Sequence, residues 1–145
     1  MLHALIAAVG QFVRPSFEQR IGLRYINGIR RDEVKQPMDW RAYIAPSLLG
    51  PISDDVFGPG IRASQHQLSL ELDDDVWCTV RHGLATDDTA AEVSAYVLDY
   101  DVYRDRGRAF DVDGVQSASD NLNDFALRLF QASITPKLLE RLREA

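Results

Sequence analysis

Alternation of apolar and polar positions marks four stretches as half-buried β-strands. In Arg20–Ile29, Ile21, Leu23 and Tyr25 fall on one face, and Gly22, Arg24 and Ile26 on the other. Asn27-Gly28 reads as a hairpin turn, a bulge or a bend. In residues 64–72, His66, Leu68, Leu70 and Leu72 share one face. Asp73–Asp75 turns the chain, and Val76, Cys78, Val80 and His82 continue that face on the return strand. A tight turn pairs His66 with His82, Leu68 with Val80, Leu70 with Cys78 and Leu72 with Val76. Gly83 to Ala90 reads as a connection. Val93–Tyr103 is the last long strand, with Tyr96, Leu98, Tyr100 and Val102 on one side and Val97, Asp99, Asp101 and Tyr103 on the other.

A period near 3.6 takes over at both ends of the chain. Leu2, Leu5, Ile6, Val9, Phe12 and Val13 predict a core-packing helix that stops before Pro15. Val112, Val115, Ser119, Leu122, Phe125, Ala126 and Leu129 predict a long helix behind an N-cap at Asp111 or Asp113. Pro136 opens a final short helix anchored by Leu138, Leu139 and Leu142. Residues 30–63 are irregular, with a short helix near Met38–Ile44 ended by Pro46. Trp40, Tyr43 and Phe57 either pin this segment to the core or line a pocket. The expected fold is α+β: an antiparallel sheet of about four strands, with an N-terminal helix and a long C-terminal helix on one face. Residues 1–145 read as a single α+β domain.

Charge alters the picture in one respect. Residues 1–50 carry seven Lys/Arg against four Asp/Glu, whereas residues 51–145 carry nine against eighteen. An acidic chain is repelled by a phosphate backbone, so no nucleic-acid partner is expected. Of the sixteen basic residues only Lys35 and Lys137 are lysine, a bias that suits a GC-rich genome. The single cysteine, Cys78, excludes an intrachain disulfide and a cysteine-cluster metal site. With no apolar run of membrane-spanning length and no leader pattern, neither a membrane span nor a signal peptide is expected. The cytoplasm is the expected compartment.

The chain holds no Walker-type glycine loop, no G-x-G-x-x-G, no H-E-x-x-H and no G-x-S-x-G. No cofactor and no resident metal are expected. Three adjacent aspartates in a tight turn cannot converge on one cation, so Asp73–Asp75 reads as a solvated turn. His66 and His82 facing each other across the hairpin, with an aspartate, define a metal-assisted hydrolase as a further alternative. Asp99 and Asp101 are an acid/base pair only if the arginines beside them leave one protonated, which neighbouring cations oppose. The sheet face bearing Arg20, Arg24, Glu71, Trp77, Arg81, Asp99, Asp101 and Tyr103 reads either as paired surface charge or as a recognition face.

The segment Arg20-Ile-Gly-Leu-Arg-Tyr-Ile-Asn27-x-Ile29 resembles the R-x-G-L-R-Y-I-N-R-I signature of a sporadically distributed bacterial and archaeal family of uncharacterised proteins. Trp40-x-x-Tyr43-Ile44-x-Pro46 and Phe130-x-x-Ser133-Ile134-Thr135 are similar to two further segments of that family, in the same order. Gly28 stands where the family usually has arginine, and the family's N-terminal half has no counterpart here. A mis-started gene, a fragment and a genuine short form are the three readings. The first two leave a sheet edge or an apolar helix face open, and self-association is then expected. The family's patchy distribution resembles that of antitoxins and immunity proteins. The expected function is therefore a non-enzymatic binding protein with a protein partner, using Arg24, Asn27, Trp77, Arg81, Asp99, Asp101 and Tyr103. The alternative is a small-ligand module with a pocket between sheet and helix, lined by Trp40, Tyr43, Tyr96 and Tyr100.

Overall fold

The computed structural model describes residues 1–86 and 93–144. Helix α1 (Leu2–Ala8) runs on into a π-turn at Val9–Val13. Strands β1 (Phe17–Glu18) and β2 (Ile21–Ile29) follow. The irregular segment folds as a 3₁₀ turn at Pro37–Ala42, helix α2 (Pro46–Leu49) and 3₁₀ turns at Gly50–Ser53 and Gly58–Gly60. Then come β3 (His66–Asp73), β4 (Val76–Thr86), β5 (Val93–Arg104), β6 (Arg108–Ala109), α3 (Val112–Ser133) and α4 (Pro136–Glu144). The fold is α+β, as the alternation and helical periods predict. Gly83–Thr86, expected in a connection, belong to β4; the rest of that connection, 87–90, lies outside the described residues.

The main sheet is antiparallel with order β2-β5-β4-β3, and β1 pairs with β6 in a separate two-stranded ribbon. Strand β5 is central, and its Tyr96, Leu98, Tyr100 and Val102 are buried on the core side. Strand β2 is an edge strand. It pairs with β5 through all nine residues, from Ile21 opposite Arg104 to Ile29 opposite Tyr96. Asn27-Gly28 therefore makes no turn. Across β3 and β4 the register matches expectation at His66–His82, Leu68–Val80 and Leu70–Cys78, then shifts. A bulge between Glu71 and Asp73 sets Asp73, not Leu72, opposite Val76.

Asp111 caps α3, its carboxylate accepting from the Gly114 N–H at 2.7 Å. The helix lies over β2 and β5 and buries Val115, Ala118, Ser119, Leu122 and Ala126. Trp40, Tyr43, Ile44, Leu49 and Ile52 close the same core from the irregular segment. Main-chain hydrogen bonds Ala45 N–H to Ser133 O and Thr135 N–H to Tyr43 O, both 2.9 Å, seam that segment to the α3–α4 junction. Trp40 and Tyr43 thus pin the connection, whereas Phe57 stays exposed.

Helix α1 differs from expectation. Only Ile6 is buried, and Leu2, Leu5, Phe12 and Val13 are exposed. The reason is which side reaches α3. His3 bonds Asp120 at 2.8 Å, and Gly10 presses against Val112 with no room for a Cβ. The close approach through glycine turns the large side chains outward. No helix among the described residues is long and apolar enough to cross a membrane.

Candidate functional site

Register places six of the seven expected site residues on one face. Across β2, β5, β4 and β3 the rows read Gly22–Tyr103–Trp77–Glu71, Arg24–Asp101–Thr79–Ser69 and Ile26–Asp99–Arg81–Gln67. This is the face opposite the core. Asn27 falls on the other side: three residues from Arg24, it has the parity of Tyr25, and its amide donates to the Leu98 carbonyl at 3.4 Å.

Three arginines and two aspartates on the open face, Arg20, Arg24, Arg81, Asp99 and Asp101, are paired in its plane. Arg24 grips Asp99 in a two-pronged contact, Nε–Oδ1 2.8 Å and Nη2–Oδ2 2.7 Å. Arg81 approaches the same carboxylate at 3.7 Å, and its Nε donates to Gln67 Oε1 at 3.1 Å. Arg20 bonds both oxygens of Asp101 at 3.2 Å and lies over the Tyr103 ring, 4.4 Å from its centroid. Two guanidinium groups across Asp99 leave the residue 5% exposed. The hydrogen bonds from Arg24 hold its carboxyl below the usual carboxylate range despite burial, with Arg81 adding to the effect. Asp99 is therefore a fixed anion, not a proton donor near neutral pH.

One end of this face is walled by the segment before β3. Ser64 and Gln65 cross directly over Gly83, whose φ of 152° and lack of a Cβ both serve the crossing; a Cβ there would overlap the Ser64 carbonyl oxygen. Ser64 N–H donates to Leu84 O at 3.2 Å, and Leu84 N–H donates to Ser64 Oγ at 3.1 Å. The wall encloses an open groove of about 350 Å³ over Arg24, Arg81, Val97 and Asp99.

His66 and His82 sit on the core side, as their parity predicts. The rings of His66 and His82 stack 5.1 Å apart with 18° between their planes. The Tyr96 hydroxyl donates to the Leu48 carbonyl at 3.0 Å, so the 2.9 Å contact with His82 Nδ1 must be an N–H donated by the imidazole. Burial, and then the neighbouring His66, push the His82 pKa down. Asp99 and Asp101 are on the far side of the sheet from this pair, and no group of three metal-ligating side chains occurs among the described residues. Asp75, at a positive φ in the β3–β4 turn, pairs with Arg106 and Arg108. Cys78 is buried, and that burial, with Asp101 and Asp99 adding to it, pushes its thiol up to about 11, which keeps it protonated and unreactive.

No protein-family model, no curated protein and no solved structure matches this chain.

Of the four aromatics expected to line a ligand pocket, Trp40, Tyr43 and Tyr96 are packed into the core. Tyr100, buried in the same core, also forms part of a groove of about 190 Å³ between β2 and α3, with Tyr25, Asn27, Asn123, Leu127 and Phe130. Nothing in the sequence marks the α3 residues of this groove as lining one. Their helical phase marks Leu127 as a surface position, and nothing local pairs it with a strand almost a hundred residues earlier.

Proposed function

We propose that the chain is a cytoplasmic, non-enzymatic protein-binding module that uses the open sheet face of Arg24, Trp77, Arg81, Asp99, Asp101 and Tyr103. The observation carrying this reading is a sheet face left open among the described residues, on which Arg20, Arg24 and Arg81 are already paired with Asp99 and Asp101. Such a face is rigid before it meets a partner, so little ordering entropy is lost on contact. Trp77, Tyr103 and the arginines are the residue types that dominate interface energetics, and Ile26 adds an apolar side chain 63% exposed. Chemistry on the same face is disfavoured by the fixed ionisation of Asp99. The resemblance to a sporadically distributed family supplies an antitoxin- or immunity-like setting.

Affinity capture from the native host tests the siting. Wild type and Trp77→Ala/Arg81→Ala are compared at matched thermal stability. The expected result is a partner held by wild type and lost by the variant. Identical recovery by both removes this face from the interface.

A further inference from the structure

We infer that the outer edge of β2, together with the groove between β2 and α3, takes an extended acidic-apolar segment of another protein as a fifth strand. This rests on reading the chain as a protein-binding module and names a second surface of it.

The edge itself is the first observation. Strand β2 pairs with β5 on one side, and no strand among the described residues pairs with the other. Nine residues run without proline and without a bulge. A strand edge of this kind presents a row of main-chain donors and acceptors ready for pairing, and folded proteins usually guard it with proline, lysine, a bulge or a short length. The opposite edge, β3, carries a bulge. Strand β2 is long and has no proline, lysine or bulge, and its one charge, Arg24, is turned to the open face and bound to Asp99.

The groove is the second observation. It runs beneath the edge on the core side, with Tyr100 at its base and Leu127, half exposed, on its rim. At about 190 Å³ it displaces about six waters and has room for one large apolar side chain. The Tyr25 hydroxyl donates to Asn123 Oδ1 at 2.8 Å and so fixes the strand-to-helix spacing before anything binds. An added strand sends alternate side chains to opposite faces. One set enters the groove, and the other lies along Arg24 and Ile26 on the open face. Main-chain pairing supplies affinity and the pocket supplies selectivity, the division found in strand-addition recognition.

Charge selects the occupant. From Gln19 to Arg31 the chain has four arginines and no acidic residue. Arg20 and Arg24 keep about half of their side-chain surface exposed even while paired. A second copy of this chain fits poorly. Antiparallel self-pairing about a two-fold axis sets Arg24 opposite Arg24, Ile26 or Gly28 of the copy, depending on register, and brings eight arginines together. A segment with acidic residues on the open-face side and a leucine or phenylalanine on the groove side meets both surfaces.

The test selects binders to the full chain from a displayed library of ten-residue linear peptides at 50 mM salt. Enriched peptides are expected to alternate, with acidic residues on one parity and large apolar residues on the other. N-methylation of a selected peptide at alternate positions should abolish binding, and at the intervening positions leave it intact. Leu127→Arg, an exposed helix position, should weaken binding at least tenfold without lowering thermal stability, and 300 mM salt should weaken it further. No enrichment, no period-two response to N-methylation, or binding indifferent to Leu127→Arg overturns the inference. So does sedimentation showing a dimer that Leu127→Arg dissolves, since the occupant is then a second copy. If the host partner is captured through the Trp77 face while the peptides fail, the binding-module reading stands and the β2 edge alone is refuted.

Discussion

Removing a single oxygen, in Tyr96→Phe, probes the polar bridge that joins the β4–β5 hairpin to the irregular segment. In the wild-type protein this hydroxyl accepts from His82 Nδ1–H and donates to Leu48 O. Two hydrogen bonds at about 1 kcal/mol each are lost. The two former partners are not equivalent. Leu48 is partly exposed, so water reaches its carbonyl cheaply, whereas His82 is buried and is left with an unmatched ring nitrogen. An unmatched buried polar group costs about 1–3 kcal/mol. Phenylalanine keeps the ring in its place against Trp40, 5.6 Å away between centroids, so no cavity penalty is added. The expected loss is about 2–4 kcal/mol. Urea unfolding at pH 7.5, followed by far-ultraviolet circular dichroism, measures it as a lower midpoint at unchanged slope. A loss below about 0.5 kcal/mol would show that the hydroxyl does not bridge the two elements, and the tautomer assigned to His82 would fall with it, since both rest on the same bridge.

Acidification should reveal His82 independently. Its native pKa lies below the ordinary histidine value, so above about pH 6.5 its contribution to stability is complete. As pH falls from there through the native pKa, the unfolded chain binds the proton first. Stability should drop with a limiting slope of about 1.4 kcal/mol per pH unit; a flat profile between pH 7 and 5 refutes the buried neutral imidazole. The depressed carboxyl of Asp99 acts in a lower window, its contribution being present above the ordinary aspartate pKa and lost as pH falls through the native one. Gly83→Ala should cost about 3 kcal/mol or more, because the new methyl meets a main-chain oxygen that no rotamer change can move. Gly28→Ala, two strands away on the same face with open space around it, is the control and should stay within about 0.5 kcal/mol. Equal thermal melting of the two variants would refute the crossing of Ser64 over Gly83.

Local pattern carried the reading a long way. The β3–β4 register followed from parity and a tight turn, because adjacent strands joined by two or three residues have few ways to pair. It failed only at Leu72, where the bulge inserts one residue. Parity also placed Arg24, Trp77, Arg81, Asp99, Asp101 and Tyr103 on a common face, and applied consistently it sets Asn27 with Tyr25 on the other. What alternation could not show was β2 at an edge, since a half-buried strand alternates whether it has one neighbour or two. The apolar stripe of α1 misled for a different reason. Helical period reports which residues lie along one line, and the small residue Gly10, not the large ones, decided which line met α3. The groove under β2 was illegible because it joins two elements distant in sequence.

Placing β2 against β5 also has a kinetic consequence. The Arg24–Asp99 contact closes a loop of 75 residues, whereas His82–Tyr96 closes one of 14. Loop-closure entropy makes the longer one costlier by about 1.5 kcal/mol. The β3–β4–β5 meander can therefore assemble first and β2 join last, onto a template already formed. The last strand to arrive is also the cheapest to lift away again. Its amides should exchange with solvent deuterium through a local opening well below the global unfolding free energy, leaving the meander protected.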